Sequence, residues 1–420
     1  MTSFVQKRAA SPGLVVIFVD GATPPSNTEA FEELLRRSRA VMQGGRPSPG
    51  GSSKPASLRV EPLGGSARAT GTLWRVSSTG EVGSTKSRAG GAAAGGAAAG
   101  GAAAGGSAAG RTAAFGAGDT FVVKRSRYVA KEAVNLRRLH QKLIGHPLAS
   151  TLPRPLALDE EAQLLAMSFL PSGGDLWGLL FGVRNLQPGR DRSAEALFRH
   201  TGAWIASFGA LTNEGVGPLE EVQDALERLR LWPSWLERWR KPLLTRLERH
   251  THTQGVRVEC HGDFAPRNVM QRPKAFYARN PAMEEAHPNS SSQSAPRHGS
   301  PPRSAPPGVS VVDWEMMPSG PRGRAYDAVH FATLARRHPE VTTLRRARFR
   351  GLMLAFWDGF ASAADSQAQE QDPKEAWEAS RLAAQVVVMD RQLKAARHAP
   401  LRSALNGRWG FLAWALGRLS

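Results

Sequence analysis

Three side chains carry the chemistry that this sequence offers. The octet His261-Gly262-Asp263-Phe264-Ala265-Pro266-Arg267-Asn268 places a carboxylate five residues ahead of an amide. The run Val311-Val312-Asp313-Trp314-Glu315 then brings a second carboxylate at the end of a β-branched stretch. A carboxylate within hydrogen-bond reach of a substrate hydroxyl can orient it and accept its proton as the oxygen attacks. Amide and carboxylate oxygens are the ligands that hard divalent cations prefer. One base, one amide ligand and one carboxylate ligand make the minimum set for moving a phosphoryl group with magnesium. On this reading Asp263 is the base, and Asn268 and Asp313 are metal ligands. The plain alternative, a turn aspartate and a capping asparagine, leaves Asp313 unexplained.

These residues need elements to hold them. Val256-Arg257-Val258-Glu259 alternates as a strand and leads into the octet through Cys260, which reads as core filling rather than a nucleophile. About residues 275–308 are rich in Pro, Ser, Arg and Asn, a composition that predicts disorder between Asn268 and Asp313. If the two ligands sit on neighbouring strands of one hairpin, that excursion does little harm, because loop-closure cost grows slowly with length. His261 is expected to brace the loop. Arg267 has two open readings, a phosphate or substrate contact and a surface charge.

Elsewhere the chain falls into a strand-rich part and a helical part. Residues 1–57 read as an N-terminal extension and linker. They hold an apolar strand, Leu14 to Val19, and a capping-box pattern, Ser26-Asn27-Thr28-Glu29, that predicts a helix through Met42. Residues 58–170 read as a small lobe with strands at Leu58–Val60, Thr72–Val76 and Phe121–Lys124 and a helix from about Tyr128 to Leu143. A Gly/Ala-rich insertion, about residues 89–118, interrupts that lobe and is expected to stay flexible, since it has little apolar surface to bury. Residues 171–420 read as a large lobe with helices near Ala194–Leu211, Leu219–Leu231, Leu344–Ala364 and Ala376–Arg397. The fold class expected is α+β, bilobal, with a strand-rich first lobe and a mainly helical second.

At the motifs His261–Asn268, Val311–Glu315 and Arg324-Ala325-Tyr326-Asp327 the chain resembles the aminoglycoside phosphotransferase and choline kinase group of the protein-kinase-like fold. The resemblance spans about residues 58–400. It implies ATP and Mg2+ as cofactors, and a nucleotide and a small hydroxylated substrate as partners. It also implies that Lys124 is the phosphate-binding lysine. Glu132, on the next helix beside the apolar stripe Val129, Ala133, Leu136, Leu139 and Leu143, is its expected partner. The turn Gly64-Gly65-Ser66 is a candidate cover for the phosphates, although an ordinary hairpin also fits. Ser168 and Phe169 resemble the hinge that meets the adenine, although a core strand fits as well. Asp327 is expected to support the large lobe.

Composition separates the competing functions only in part. The 420 residues carry a formal net charge of +19, with 41% hydrophobic residues. Such a charge raises nucleic-acid binding as one alternative, but no nucleic-acid motif accompanies it. A nucleotide-binding pseudokinase or regulatory module is another, opposed by the joint presence of Lys124, Asp263, Asn268 and Asp313. The single cysteine excludes an intramolecular disulfide and fits a reducing compartment, so a cytoplasmic location is expected. No apolar stretch is long enough to predict a membrane span. The acceptor and the oligomeric state are not legible. Glu195, Glu214, Glu220 and Glu221 offer an acidic pocket for a cationic acceptor, or plain surface positions.

Overall fold

The structure, a computed structural model, describes residues 5–11, 14–19, 27–42, 56–63, 72–78, 120–181, 192–272, 308–336, 346–364, 372–400 and 408–419. Gly64, Gly65 and Ser66, the Gly/Ala-rich insertion and nearly all of the 275–308 segment lie outside the described residues. The chain divides into two compact units, Met1–Ala130 with Pro155–Phe169, and Lys131–Arg154 with Leu170–Ser420.

The first unit is one seven-stranded sheet with a helix. Its strands are β1 (Val5–Ser11), β2 (Leu14–Val19), β3 (Ala56–Pro62), β4 (Thr72–Ser78), β5 (Thr120–Arg125), β6 (Pro155–Asp159) and β7 (Leu164–Ser168), in the order β1-β2-β3-β4-β5-β7-β6. All neighbours are antiparallel except β2 and β3. A parallel pair needs a crossover, and helix α1 (Thr28–Met42) lies between those two strands in the chain. Asn27 caps α1, its Oδ1 accepting the Ala30 N–H at 3.1 Å, while Ser26 lies outside the described residues. The buried face of α1, Phe31, Leu34 and Leu35, shares a core with Leu58, Trp74, Phe121 and Leu164. Full burial of such side chains is worth about 1.5–3 kcal/mol each. Residues 1–57, read as an extension ahead of the lobe, thus supply two strands and a core-forming helix to this sheet.

The second unit is mainly helical. It begins within α2 (Val129–Lys142), whose expected stripe Ala133, Leu136 and Leu139 is fully buried. Helices α3 (Leu176–Phe181) and α4 (Arg192–Leu211) precede β8 (Asn213–Pro218), α5 (Glu220–Arg230) and α6 (Glu237–Glu248). Then come β9 (Gln254–Val258), β10 (Val269–Gln271), β11 (Val309–Val311) and β12 (Arg322–Gly323). Helices α7 (Tyr326–Ala335), α8 (Arg346–Ala364), α9 (Pro373–His398) and α10 (Arg408–Leu419) complete the unit. Strand β9 is central in a three-stranded sheet, β12-β9-β8. Helices α4 and α8 approach backbone to backbone. A Cβ on Gly202 would lie 2.0 Å from the Phe356 carbonyl oxygen, and one on Gly359 1.9 Å from that of Arg199. Both positions therefore need glycine. The expected class is found: a strand-rich unit, then a mainly helical one.

Candidate active site

The octet forms the loop between β9 and β10, and its polar atoms are committed one by one. Asp327, in the first turn of α7, accepts the His261 N–H at 2.6 Å and the Gly262 N–H at 3.1 Å. Burial pushes the Asp327 carboxyl up, and the two N–H donors and His261 oppose that shift. This is the supporting contact expected of Asp327. Gly262 adopts φ +78°, and a Cβ there would meet the Met316 carbonyl oxygen at 2.4 Å. The loop can therefore turn only on glycine.

His261 is fully buried and braces both ends of the site. Its Nδ1 receives the Asp263 N–H at 3.3 Å, and its Nε2 lies 2.9 Å from the Val312 carbonyl oxygen. With Nδ1 accepting, the proton on Nε2 is the one that faces the Val312 carbonyl. Trp314 packs 4.5 Å from the His261 ring, and Phe264 meets that ring edge-on. Trp204 stacks on Phe264 at 5.7 Å beneath the loop.

Asp263 sits among cations. Its Oδ2 accepts Arg267 Nη2 at 2.7 Å, and its Oδ1 lies 3.5 Å from Arg391 Nη1 and 4.0 Å from His330 Nε2. Burial alone pushes the Asp263 carboxyl up, but Arg267, His330 and Arg391 outweigh it and hold the carboxyl below its ordinary value. His330 is itself pushed down to about 4, first by burial and then by Arg391. It is neutral near pH 7, so the two arginines keep Asp263 ionised there. Arg391, on α9, also donates to the Gly262 carbonyl oxygen at 2.7 Å. His330 Nδ1 lies 3.3 Å from the Phe264 carbonyl oxygen. Two helices thus grip the backbone on either side of Asp263.

The hairpin that joins Asn268 to Asp313 is present. Val269 pairs with Val311, Met270 with Ser310, and Gln271 with Val309. Arg272 N–H to Gly308 O at 3.1 Å closes one end, and Val312 N–H to Asn268 O at 3.0 Å closes the other. The Asn268 Nδ2 amide donates to the Asp263 carbonyl oxygen at 2.9 Å and lies 3.4 Å from Asp263 Oδ2. Its nitrogen is thereby occupied on the Asp263 side, and its Oδ1 is the atom left to act as a ligand. Asp313 adopts the left-handed conformation, φ 69° and ψ 61°. Such backbone is uncommon outside glycine, and aspartate tolerates it better than most residues.

A cluster of acids meets there. One oxygen from each of Glu132, Asp313 and Glu315 lies within 4.8 Å of the others. Glu132 and Glu315 are buried, and the Glu132 carboxylate accepts the Trp314 N–H at 3.1 Å. Three carboxylates so close repel one another unless positive charge offsets them. Their hard oxygen donors suit a divalent cation such as magnesium.

The remaining candidates lie apart in the chain's division. Lys124 is buried on β5, paired across to Leu165 on β7, and Ser168 closes β7 with Phe169 next to it. These three belong to the first unit and Glu132 to the second. Three of the four acids considered for a cationic acceptor are engaged elsewhere. Glu214 pairs with Lys142 at 2.6 Å, Glu220 with Arg322 at 2.8 Å, and buried Glu221 accepts the Gly323 N–H at 2.8 Å. Cys260 is buried, which pushes its thiol well up and removes it as a nucleophile. Sequence reasoning missed Glu315, Arg391 and His330. Glu315 had a signal, its place two residues after Asp313; the other two come from distant helices with no local mark.

No protein-family model matches the chain, and no curated protein matches it in sequence. Among solved structures it is similar to a provisionally assigned aminoglycoside phosphotransferase from Ralstonia eutropha, at 13% identity and TM-score 0.50, covering 94% of this chain and 98% of that one. It also matches a provisionally assigned fructosamine-3-kinase from Thermobifida fusca, at 14% identity and TM-score 0.42, covering 86% and 93%. A third match is spectinomycin phosphotransferase in complex with ADP and spectinomycin, at 9% identity and TM-score 0.38, covering 86% and 92%. The first of these similarities carries the fold, which is protein-kinase-like.

Proposed function

We propose that the chain is an ATP-dependent phosphotransferase of the aminoglycoside phosphotransferase and choline kinase type, moving the γ-phosphoryl group to a hydroxyl of a small molecule. The observation that supports this reading is the β10–β11 hairpin, which pairs the residues after Asn268 with those before Asp313, while the Asn268 amide lies 3.4 Å from Asp263 Oδ2. In the proposal Asp263 orients the acceptor hydroxyl and takes its proton. Because Arg267 and Arg391 hold its carboxyl low, it is a weak base, suited to a transition state in which the hydroxyl proton leaves late.

Asp313 and Asn268 would hold the magnesium, with Glu315 beside them. When bound, that ion supplies charge neutralisation at the phosphates. Lys124 would engage the phosphates, with Glu132 as its partner. Ser168 and Phe169 would meet the adenine, and Gly64, Gly65 and Ser66 would cover the phosphates. The engaged states of Glu214, Glu220 and Glu221 give no support to an acidic pocket for a polycation, so the acceptor class is left as a small hydroxylated molecule.

ATP consumption against a panel of aminoglycosides, amino alcohols and sugars tests this directly. Wild-type protein is expected to consume ATP with at least one acceptor, and Asp263→Ala with none. Equal turnover by the two proteins with a genuine acceptor would remove Asp263 from its role.

A further inference from the structure

The connection between α5 and α6 breaks the usual burial pattern. In Leu231-Trp232-Pro233-Ser234-Trp235, Leu231 is 76% exposed and Trp235 59% exposed. Exposed large apolar groups standing together call for an explanation in a way that a single exposed leucine does not. Behind them, Trp232, Trp239 and Trp409 line an apolar groove with Leu236 and Leu393.

The helix that follows is cationic on one face. Arg238, Lys241, Thr245 and Arg249 recur at helical spacing and, with Glu237, Pro242 and Arg246, line one shallow surface groove. From 230 to 249 the cations are Arg230, Arg238, Arg240, Lys241, Arg246 and Arg249, against the acids Glu237 and Glu248. Arg240 pairs with Glu237 and Arg246 with Glu378. Among the described residues Arg230, Lys241 and Arg249 make no ion pair, and Arg238 lies 5.6 Å over the Trp239 ring.

An aromatic and aliphatic tip beside a cationic face fits a partner that is apolar inside and anionic outside. We propose that this surface docks the protein peripherally and reversibly on an anionic lipid bilayer. Leu231 and Trp235 enter the interface, and Arg230, Arg238, Lys241 and Arg249 meet the headgroup phosphates. Leu231 separates this partner from a nucleic acid. Bases reward stacked aromatic rings, to which an aliphatic side chain adds little, whereas acyl chains accept both. A second copy of the chain fits less well, because self-pairing would oppose two cationic faces.

The test uses the full chain and sedimented vesicles, one set of phosphatidylcholine alone and one mixed with phosphatidylglycerol. Binding is expected on the mixed vesicles, much less on phosphatidylcholine, and weaker with added salt, because the headgroup attraction is screened. Trp235→Ser with Leu231→Ser should weaken it by roughly tenfold or more, the effect of withdrawing buried apolar surface. Arg238→Gln with Lys241→Gln should weaken it by roughly fivefold per charge. All four positions are exposed, so far-UV circular dichroism and melting temperature should stay at wild-type values. Failure of wild-type protein to bind the anionic vesicles at low salt would overturn the proposal. So would serine variants that bind like wild type. A single-stranded oligonucleotide bound in place of vesicles, or a dimer abolished by Trp235→Ser without vesicle binding, would overturn it too.

Discussion

The His261–Asn268 loop and the Leu231–Trp235 tip depart from ordinary burial in opposite directions. In the loop, polar groups are buried and each has a named partner: His261 on both ring nitrogens, Asp327 on two backbone N–H groups, Arg391 on the Gly262 carbonyl. At the tip, large apolar groups are left in water. A buried polar group without a partner costs more than its hydrogen bond returns, so a loop built this way keeps one geometry. That is what chemistry needs. An exposed apolar group keeps its driving force in reserve for a partner, and that suits a docking surface.

The largest expected effect breaks the loop at its centre. Asp263→Ala should lower phosphoryl transfer by about 10²–10⁴-fold, the usual contribution of a positioned base. Far-UV circular dichroism and Mg-ATP binding should remain close to wild type. Turnover within a fewfold of wild type would sink the assignment.

Acid should loosen the loop next. His330 titrates near 4 in the folded protein against 6.5 when unperturbed. Between those values the unfolded chain binds more protons, so stability is full above pH 6.5 and falls as pH drops towards 4. The loss at the bottom of that window is on the order of 3 kcal/mol. Urea denaturation at a series of pH values should show it, with a flatter profile in His330→Gln. Parallel profiles would place the titrating group elsewhere.

Arg391 gives a smaller effect that sharpens the comparison. Losing a charged hydrogen bond of about 1.5–3 kcal/mol should lower kcat of Arg391→Ala by roughly ten- to a hundredfold with KM for ATP little changed. Lysine, which keeps one donor, should recover part of it. A change confined to KM would move Arg391 from positioning the loop to binding substrate.

The smallest effect is expected at the far end of the hairpin. The Gln271–Val309 pair and the Arg272–Gly308 bond already close β10 on β11. Replacing residues 274–306 by a short turn should therefore preserve magnesium-dependent nucleotide binding. Loss of folding in that variant would show that the hairpin depends on the residues removed.

Much of the site could be read in the sequence because its residues cluster there. His261, Asp263 and Asn268 share one loop, and the β-branched run before Asp313 marked a strand able to pair with Val269 and its neighbours. The stripe on α2 was legible for the same reason, as periodicity is a local property. Arg391 and His330 were not, because helices carry them to Asp263 from distant segments and nothing near either residue announces it. The place of residues 1–57 in the sheet was not legible for a related reason. A strand and a helix within them were visible, but the parallel pairing of β2 with β3 joins segments that only tertiary structure brings together. Helix α6 carries Pro242 in its interior, a residue that argues against a helix wherever tertiary packing does not override it.

The most direct measurement is calorimetric titration with ATP, with and without magnesium, on wild-type protein and on Asn268→Ala and Asp313→Asn. Wild type should bind ATP with a magnesium dependence that survives physiological salt, and both variants should lose that dependence. Identical titrations with and without the metal in wild type, or wild-type behaviour in both variants, would contradict the claim that the hairpin brings these two residues together to hold a metal for phosphoryl transfer.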